Sequence, residues 1–147
     1  MGNMAGMINI DIKYLITPFF AWLVAGGLKF LINSVRSKTL AFHQVGYGGF
    51  PSNHSAIVTS MVVLIALNEG IHTAAFGIAL TLAFIVMMDA NSLRQQIGKQ
   101  AQVINQLAKQ QGSIGIAPLR ERMGHTKIEI AGGVLVGLVV AIVASNF

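Results

Sequence analysis

The chain has no cysteine among its 147 residues, which excludes disulfides and thiolate metal sites. Charge is also scarce, because charged residues make up 10 % of the sequence, against about 25 % in ordinary soluble proteins. Apolar residues make up 54 %, more than a soluble core of this size can bury. The composition therefore predicts a protein for which the bilayer is the main solvent.

The formal net charge of +5 does not indicate a nucleic-acid-binding protein. The basic residues cluster between long apolar runs, which is typical of membrane topology rather than of a nucleic-acid-binding face. The N-terminus is weakly charged, and the basic residues of the first apolar run come after it. This order predicts an uncleaved spanning segment rather than a signal peptide.

Four apolar runs, 14–35, 55–68, 72–88 and 128–145, predict an all-α polytopic membrane bundle with about four transmembrane helices. We expect one domain over residues 1–147. A crossing takes roughly 20 residues, so the short second and third runs either begin inside their flanking polar turns or thin the bilayer. Asn68, Glu69 and Gly70 between them predict a tight hairpin and therefore antiparallel neighbours.

The connection over residues 90–111 has a different pattern. Leu93, Ile97, Ile104 and Leu107 recur near helical spacing among glutamines and lysines, which predicts an amphipathic helix. This helix either lies at the cytoplasmic membrane surface or continues the third run beyond the membrane. The Gly-Ser-Ile-Gly sequence at 112–115 is expected to end it.

The basic residues predict the orientation. Nine of them fall on one side of a four-pass arrangement, and only Lys13 falls on the other: Lys29, Arg36, Lys38, Arg94, Lys99, Lys109, Arg120, Arg122 and Lys127. By the positive-inside rule both termini lie outside and the polar connections lie in the cytoplasm. We expect a multi-pass protein of a bacterial inner membrane.

Residues 48–56, GGFPSNHSA, lead from a polar loop into the second apolar run. Either Ser52 or Asn53 can cap the helix, and His54 then lies in its first turn. A helix N-terminus offers unpaired N–H groups and a positive dipole end, which suit an anion such as phosphate. A simple cap with a wetted histidine and an anion site with an acid–base histidine both fit this segment.

Other polar residues fall at the same membrane side. His125 and Glu129 are four apart, so a carboxylate can orient the imidazole as in nucleophilic catalysis; a helix-start ion pair of Glu129 with Lys127 or Arg122 is the alternative. Lys29 and Arg36 share a helix face, as site cations or as interfacial anchors. Asp89 and Arg94 follow the third run, as site residues or as a local ion pair.

Together these residues resemble the type 2 phosphatidic acid phosphatase superfamily, and more closely its short divergent membrane branch related to vanadium-dependent haloperoxidases. Lys29-x6-Arg36 matches the first motif, with Ser37 in place of proline. Pro51-Ser52-Asn53-His54 matches the second. Arg120-x4-His125-x3-Glu129 matches the third with one residue fewer and with glutamate for aspartate. The segments GGFPSNHSA, DANSLRQQIGKQAQVIN and GHTKIEIAGG also resemble the divergent branch.

The resemblance implies a phosphohistidine mechanism without a metal or other cofactor. His125 would be the nucleophile, Glu129 its orienting carboxylate and His54 the general acid. The phosphate-binding set would be Lys29, Arg36, Ser52, the Asn53 amide and Arg120, with Arg94 or Arg122 as alternatives to Arg120 and with Asp89 and Arg94 as accessory residues. Membrane members of the superfamily usually have six spans, so a second copy of the chain would complete a four-span cavity.

The leading hypothesis is a membrane lipid phosphatase that hydrolyses a phosphate monoester or diphosphate of a lipid at the cytoplasmic boundary. Its partners would be a phosphorylated lipid, the membrane and a second copy of the chain, with no nucleic acid. The alternative is a non-catalytic carrier or flippase that binds anionic lipid headgroups through the same cations. A third hypothesis is a helical scaffold that associates through the small residues Gly26-Gly27 and Gly132-Gly133.

Overall fold

The computed structural model describes residues 12–38, 49–110, 112 and 117–147. These residues form five helices: α1 (Ile12–Ser37), α2 (Asn53–Asn68), α3 (Ala74–Asn91), α4 (Leu93–Gln110) and α5 (Lys127–Ser145). The all-α class predicted from the sequence is confirmed. Each of the four apolar runs coincides with one helix, and the amphipathic connection forms α4.

Three helical segments are long and apolar enough to cross a membrane: Ile12–Ser37, Ala74–Gln110 and Lys127–Ser145. The fourth apolar helix, α2, has 16 residues and is therefore about 24 Å long, shorter than a hydrocarbon core of roughly 30 Å. It begins at Asn53, inside the polar turn, as expected for a short run. The bundle thus has three full-length spans and one shorter helix.

The short helix α2 lies in the centre of the bundle and packs against α1, α3 and α5. Ala56, Ser60 and Leu64 along it are fully buried. The surrounding helices instead expose large apolar side chains such as Phe19 and Leu135. A bundle with small residues inside and large apolar residues outside matches a lipid environment.

Glycines of α5 allow its backbone to approach α2 closely. A Cβ atom at Gly133 would meet the carbonyl oxygen of Ser52, and one at Gly137 would meet the carbonyl oxygen of Ala56. At Gly132 the space is filled by the ring of Phe50. The Gly132-Gly133 face, which the scaffold hypothesis assigned to oligomerisation, is therefore used for packing within the chain.

The helix directions bring several termini to one end of the bundle, here called the site end. Helices α1 and α2 are antiparallel, since Gly26 lies beside Asn53 while Tyr14 interacts with Asn68 at the opposite end. Glu69 caps the C-terminus of α2, and Thr73 caps the start of α3, as the predicted hairpin requires. The site end therefore combines the later part of α1, the start of α2, the α3–α4 junction and the start of α5.

Helix α4 follows directly on α3, with helical backbone hydrogen bonds on both sides of Ser92. At the junction, the Ser92 N–H donates to the Met88 carbonyl at 2.9 Å, and the Gln96 N–H donates to the Ser92 carbonyl at 3.2 Å. Helix α4 therefore continues the third run, and its placement relative to the membrane stays a prediction. Gly112 after it has a positive φ of 77°, while residues 113–115 of the expected stop signal lie outside the described residues.

The segment that leads to α5 returns along α4. The side chain of Asn105 accepts from the Leu119 N–H at 2.8 Å and donates to the Leu119 carbonyl and to a Glu121 carboxylate oxygen, each at 2.8 Å. Gly98 lets the backbone of Glu121 approach the helix, because a Cβ atom there would meet the Glu121 carbonyl oxygen. These contacts carry the chain back to the site end, where α5 begins.

Candidate functional site

The first part of the site is the N-terminus of α2. Ser52 is the N-cap, and its buried hydroxyl oxygen accepts from the Ser55 N–H at 3.3 Å and from the Ser55 hydroxyl at 3.0 Å. This cap leaves the N–H groups of Asn53 and His54 as the first-turn donors without a hydrogen bond to a described residue. Such donors, together with the positive end of the helix dipole, form an anion-binding arrangement.

The second part is the turn that begins α5. The Thr126 hydroxyl accepts from the Glu129 N–H at 3.2 Å, and the Glu129 carboxylate accepts from the Thr126 N–H at 2.9 Å, which completes a capping box. The same carboxylate oxygen lies 3.3 Å from Nδ1 of His125. Glu129 is thus partnered by His125 and Thr126, and the alternative ion pair with Lys127 or Arg122 is not seen in the described part of the chain.

The backbone of His125 is fixed by the α3–α4 junction. Its N–H donates to the carbonyl oxygen of Ala90 at 2.8 Å, and its carbonyl oxygen accepts from the side chain of Gln95 at 3.1 Å. Only 6 % of the residue is exposed. With Nδ1 directed to Glu129, the tautomer that donates from Nδ1 leaves the lone pair of Nε2 for chemistry.

One backbone hydrogen bond joins the two parts, because the Ser52 N–H donates to the Glu129 carbonyl at 2.8 Å. The rings of His54 and His125 consequently lie 5.7 Å apart between centroids, with an interplanar angle of 59°. Residues separated by more than 70 positions in sequence are thus close enough to contact one small ligand.

Two cations act on this histidine pair. The half-buried ammonium of Lys29 and the guanidinium of Arg94 are both close enough for their charges to act on the rings of His54 and His125. Arg94 is held by Asp89, whose carboxylate accepts from its Nε at 3.0 Å. Asp89 thus forms the predicted local ion pair, and its negative charge also acts on the ring of His54, while its role in a site stays a prediction.

Burial lowers the pKa of His125 below its ordinary value near 6.5. The hydrogen bond and negative charge of Glu129 act in the opposite direction, while the positive charges of Lys29 and Arg94 lower the pKa further. Burial is the largest of these effects. The imidazole is therefore mainly neutral at pH 7, the form that a nucleophile requires.

Two buried polar atoms at the start of α2 have no hydrogen-bond partner among the described residues: Oδ1 of Asn53 and Nδ1 of His54. Buried unpaired atoms of this kind are uncommon, because each costs about 1–3 kcal/mol. Their position at the N-terminus of α2, with the His54 ring beside that of His125, is consistent with a site that binds a polar ligand.

The remaining predicted residues are placed differently. Arg36 is exposed near the end of α1, and Arg120 is exposed in the segment before α5, where its Nε donates to the Arg122 carbonyl at 3.3 Å. Neither is among the charges that act on His125. Gly48, the first residue of the segment GGFPSNHSA, lies outside the described residues. Within the described ranges, no group of three or more His, Cys, Asp or Glu side chains is arranged to hold a metal ion.

Sequence reasoning missed the residues that position His125. Ala90 acts through its carbonyl oxygen, which has no side-chain signature. Gln95 is one of several glutamines on α4, and nothing in the sequence distinguishes it from the others. Phe50, which fills the space over Gly132, could have been suspected from the paired glycines, since a missing Cβ often marks a close approach.

These features define an integral membrane protein with a histidine–carboxylate site at one end of a helical bundle. The sequence model of the Divergent PAP2 family matches residues 10–140, and the chain belongs to this family. The chain is also similar to the uncharacterized membrane protein YuiD of Bacillus subtilis (strain 168), with 31 % identity over 148 residues that cover 90 % of this chain and 94 % of YuiD. No solved structure matches the chain.

Proposed function

We propose that the protein is a membrane lipid phosphatase that releases phosphate from a lipid monoester or diphosphate through a phosphohistidine on His125. The observation that carries the proposal is the contact of His125 Nδ1 with Glu129, with the ring of His54 5.7 Å away. Membership of the Divergent PAP2 family supports a phosphatase-related role. A carboxylate that orients one imidazole, together with a second imidazole close to it, are the groups that phosphoryl transfer to histidine requires.

In the first step, the Nε2 lone pair of His125 attacks phosphorus, and the bond from phosphorus to the lipid oxygen breaks. His54 donates a proton to that leaving oxygen. Glu129 stabilises the positive charge that develops on His125. In the second step, water attacks phosphorus while His54 accepts its proton, and the electron pair of the phosphorus–nitrogen bond returns to His125. Phosphate leaves, and both histidines return to their starting forms.

The phosphate oxygens would be bound by Lys29, by Arg94 and by the N–H groups of Asn53 and His54. Lys29 and Arg94 supply positive charge next to both rings. The hydroxyl of Ser52 accepts within the cap and can still donate its own proton to an anion. Arg36 and Arg120 are included among the phosphate-binding residues only because of the family resemblance.

The substrate headgroup would reach the site from the cytoplasmic leaflet. Except for Lys13, the basic residues lie toward the site end, on the later part of α1, on α4 and in the segment that leads to α5. The positive-inside rule assigns that end to the cytoplasm, most simply in a bacterial inner membrane. Phosphatidate, a phosphatidylglycerophosphate and a polyprenyl diphosphate are lipids of suitable chemistry.

Phosphate release from these three lipids by the purified protein in vesicles tests the proposal. His125→Ala and His54→Ala should each abolish release, whereas His72→Ala should not, because His72 lies in the α2–α3 hairpin at the opposite end. Equal activity in wild type and both site variants would refute the assignment. An acid-labile phosphoryl group on His125 after rapid quenching would support the intermediate directly.

The carrier alternative predicts a different pattern in the same assay. A carrier would bind the headgroup and never release phosphate, and binding would depend on Lys29 and Arg36 while tolerating His125→Asn. The position of Lys29 next to the rings favours anion binding in either case. If the wild-type protein bound the lipid without releasing phosphate, the carrier hypothesis would be favoured over the phosphatase hypothesis.

A further inference from the structure

The apolar residues of α4 follow a heptad pattern. Leu93, Ile97, Gln100, Ile104 and Leu107 are spaced by four, three, four and three residues. In a coiled coil, this spacing places isoleucine at both a positions, 97 and 104, and leucine at the d positions 93 and 107, with Gln100 at the d position between them. The four apolar side chains are 41–58 % exposed.

The length of the α3–α4 unit is the reason to expect this apolar stripe outside the membrane. Helices α3 and α4 together run from Ala74 to Gln110, 37 residues or about 55 Å, whereas a hydrocarbon core is roughly 30 Å thick. Among the described helices, α4 packs only against α3 at their junction. Its contacts with the returning segment use Gly98 and Asn105, at b positions beside the stripe, and Ala101, at the e position between them, is buried as well. The described part of the returning segment leaves the a and d positions exposed.

The charges around the stripe favour a second copy as its partner. The g positions are Gln96, Val103 and Gln110, and the e positions opposite the first two in a parallel pair, 101 and 108, are both alanine. The remaining e position of α4 is Arg94, which is already paired with Asp89. No like charges would therefore meet across the interface. Lys99 and Lys109 lie at c and f, away from it. An anionic partner would instead be expected to meet cations that flank the apolar residues.

We propose that α4 pairs with α4 of a second copy as a parallel two-stranded coiled coil outside the membrane. Two copies with the same membrane orientation project α4 in the same direction, so the pairing is parallel. Isoleucine at a and leucine at d are the combination that favours two strands. Gln100 faces its counterpart, where the two amides hydrogen-bond and fix the register.

Cysteine cross-linking tests the pairing without background, because the chain contains no cysteine. Single variants Ile97→Cys and Ile104→Cys in membranes should form disulfide-linked dimers on mild oxidation. Lys99→Cys and Gln106→Cys, both at c positions, should remain at background. Equal cross-linking at all four positions, or none at 97 and 104, would overturn the proposal. The second result is the one expected if α4 lies on the bilayer.

Light scattering of the detergent-solubilised chain provides an independent check. Wild type should have twice the mass of the polypeptide, Ile104→Lys should have the mass of one chain, and Gln106→Lys should remain a dimer. A monomeric wild type would contradict the pairing. Because neither measurement requires turnover, the result is independent of the proposed phosphatase activity.

Discussion

The backbone N–H of Ser52 donates to the carbonyl oxygen of Glu129 at 2.8 Å, and this bond joins the N-terminal regions of two helices. Ser52 caps α2, and Glu129 completes the capping box of α5. The positive dipole ends of both helices therefore point into the same small region. The proposed phosphate anion would be stabilised there by both helices, in addition to the charges of Lys29 and Arg94.

The close approach of α5 to α2 predicts that Gly133→Ala disrupts the site. The added methyl group would meet the Ser52 carbonyl oxygen, which is backbone and cannot rotate away. We expect a loss of about 1–3 kcal/mol in the free energy of unfolding, as for other overpacked interiors, together with loss of phosphate release. Thermal unfolding in detergent and the lipid assay measure the two effects.

Gly27→Ala is the matched control for this substitution. Gly27 is also a helical glycine, but a Cβ atom there would meet nothing within 4 Å. Its replacement should therefore leave stability within about 1 kcal/mol of wild type, because only the intrinsic helix propensity changes. Equal stability and activity of the two variants would contradict the role of Gly133 in holding Ser52 close to α5.

The contact of Glu129 with His125 predicts different outcomes for two changes in the capping box. Glu129→Gln removes the charge that stabilises the His125 imidazolium, so phosphate release should fall by about 100-fold or more. Thr126→Ala removes the cap hydroxyl but leaves the carboxylate, so stability should fall by about 1 kcal/mol while most activity remains. If the two variants lost activity equally, Glu129 would act only as a helix cap.

The lowered pKa of His125 predicts the acid limb of the pH–rate profile. The nucleophile must be neutral, so kcat/KM should fall as the pH drops through the pKa of His125, which burial places below 6.5. Glu129 raises this pKa by hydrogen bonding and charge, so residual activity of Glu129→Gln should show its acid limb at lower pH than wild type. An acid limb above 6.5 in wild type, or one that moves upward in the variant, would contradict this assignment.

The helices could be predicted from the sequence because their signals are local. Apolar runs and polar turns placed α1, α2, α3 and α5, and the spacing of Leu93 and Ile97 placed α4. The sequence left open whether α4 continues the third run, since polar residues such as Asp89 and Arg94 follow that run. In the structure these two side chains form an ion pair with each other, and helical hydrogen bonds are present on both sides of Ser92.

The sequence predicted which residues belong to the candidate site better than it predicted how they are arranged in space. The i,i+4 spacing of His125 and Glu129 was sufficient to predict their contact, which the structure shows at 3.3 Å. Which arginine lies close enough to bind phosphate depends on the path of the segment before α5 along α4. Asn105 fixes that path through its contacts with Leu119 and Glu121, which are 14 and 16 residues away in the sequence. The number of residues between an arginine and His125 in the sequence does not predict such a path.

Substitution of the arginines provides the sharpest test of the phosphate-binding set. Arg94 acts on both imidazoles and is positioned by Asp89, whereas Arg120 is exposed in the segment before α5. Arg94→Ala should reduce kcat/KM by roughly 10- to 100-fold, in line with about 1.5–3 kcal/mol for a hydrogen bond to a charged group. Arg94→Lys should recover part of this loss, because it restores charge but not the planar fork that binds phosphate through two bonds.

Arg120→Ala should change kcat/KM by less than Arg94→Ala. A larger loss in Arg120→Ala would show that the arginine of the third motif, rather than Arg94, binds the phosphate.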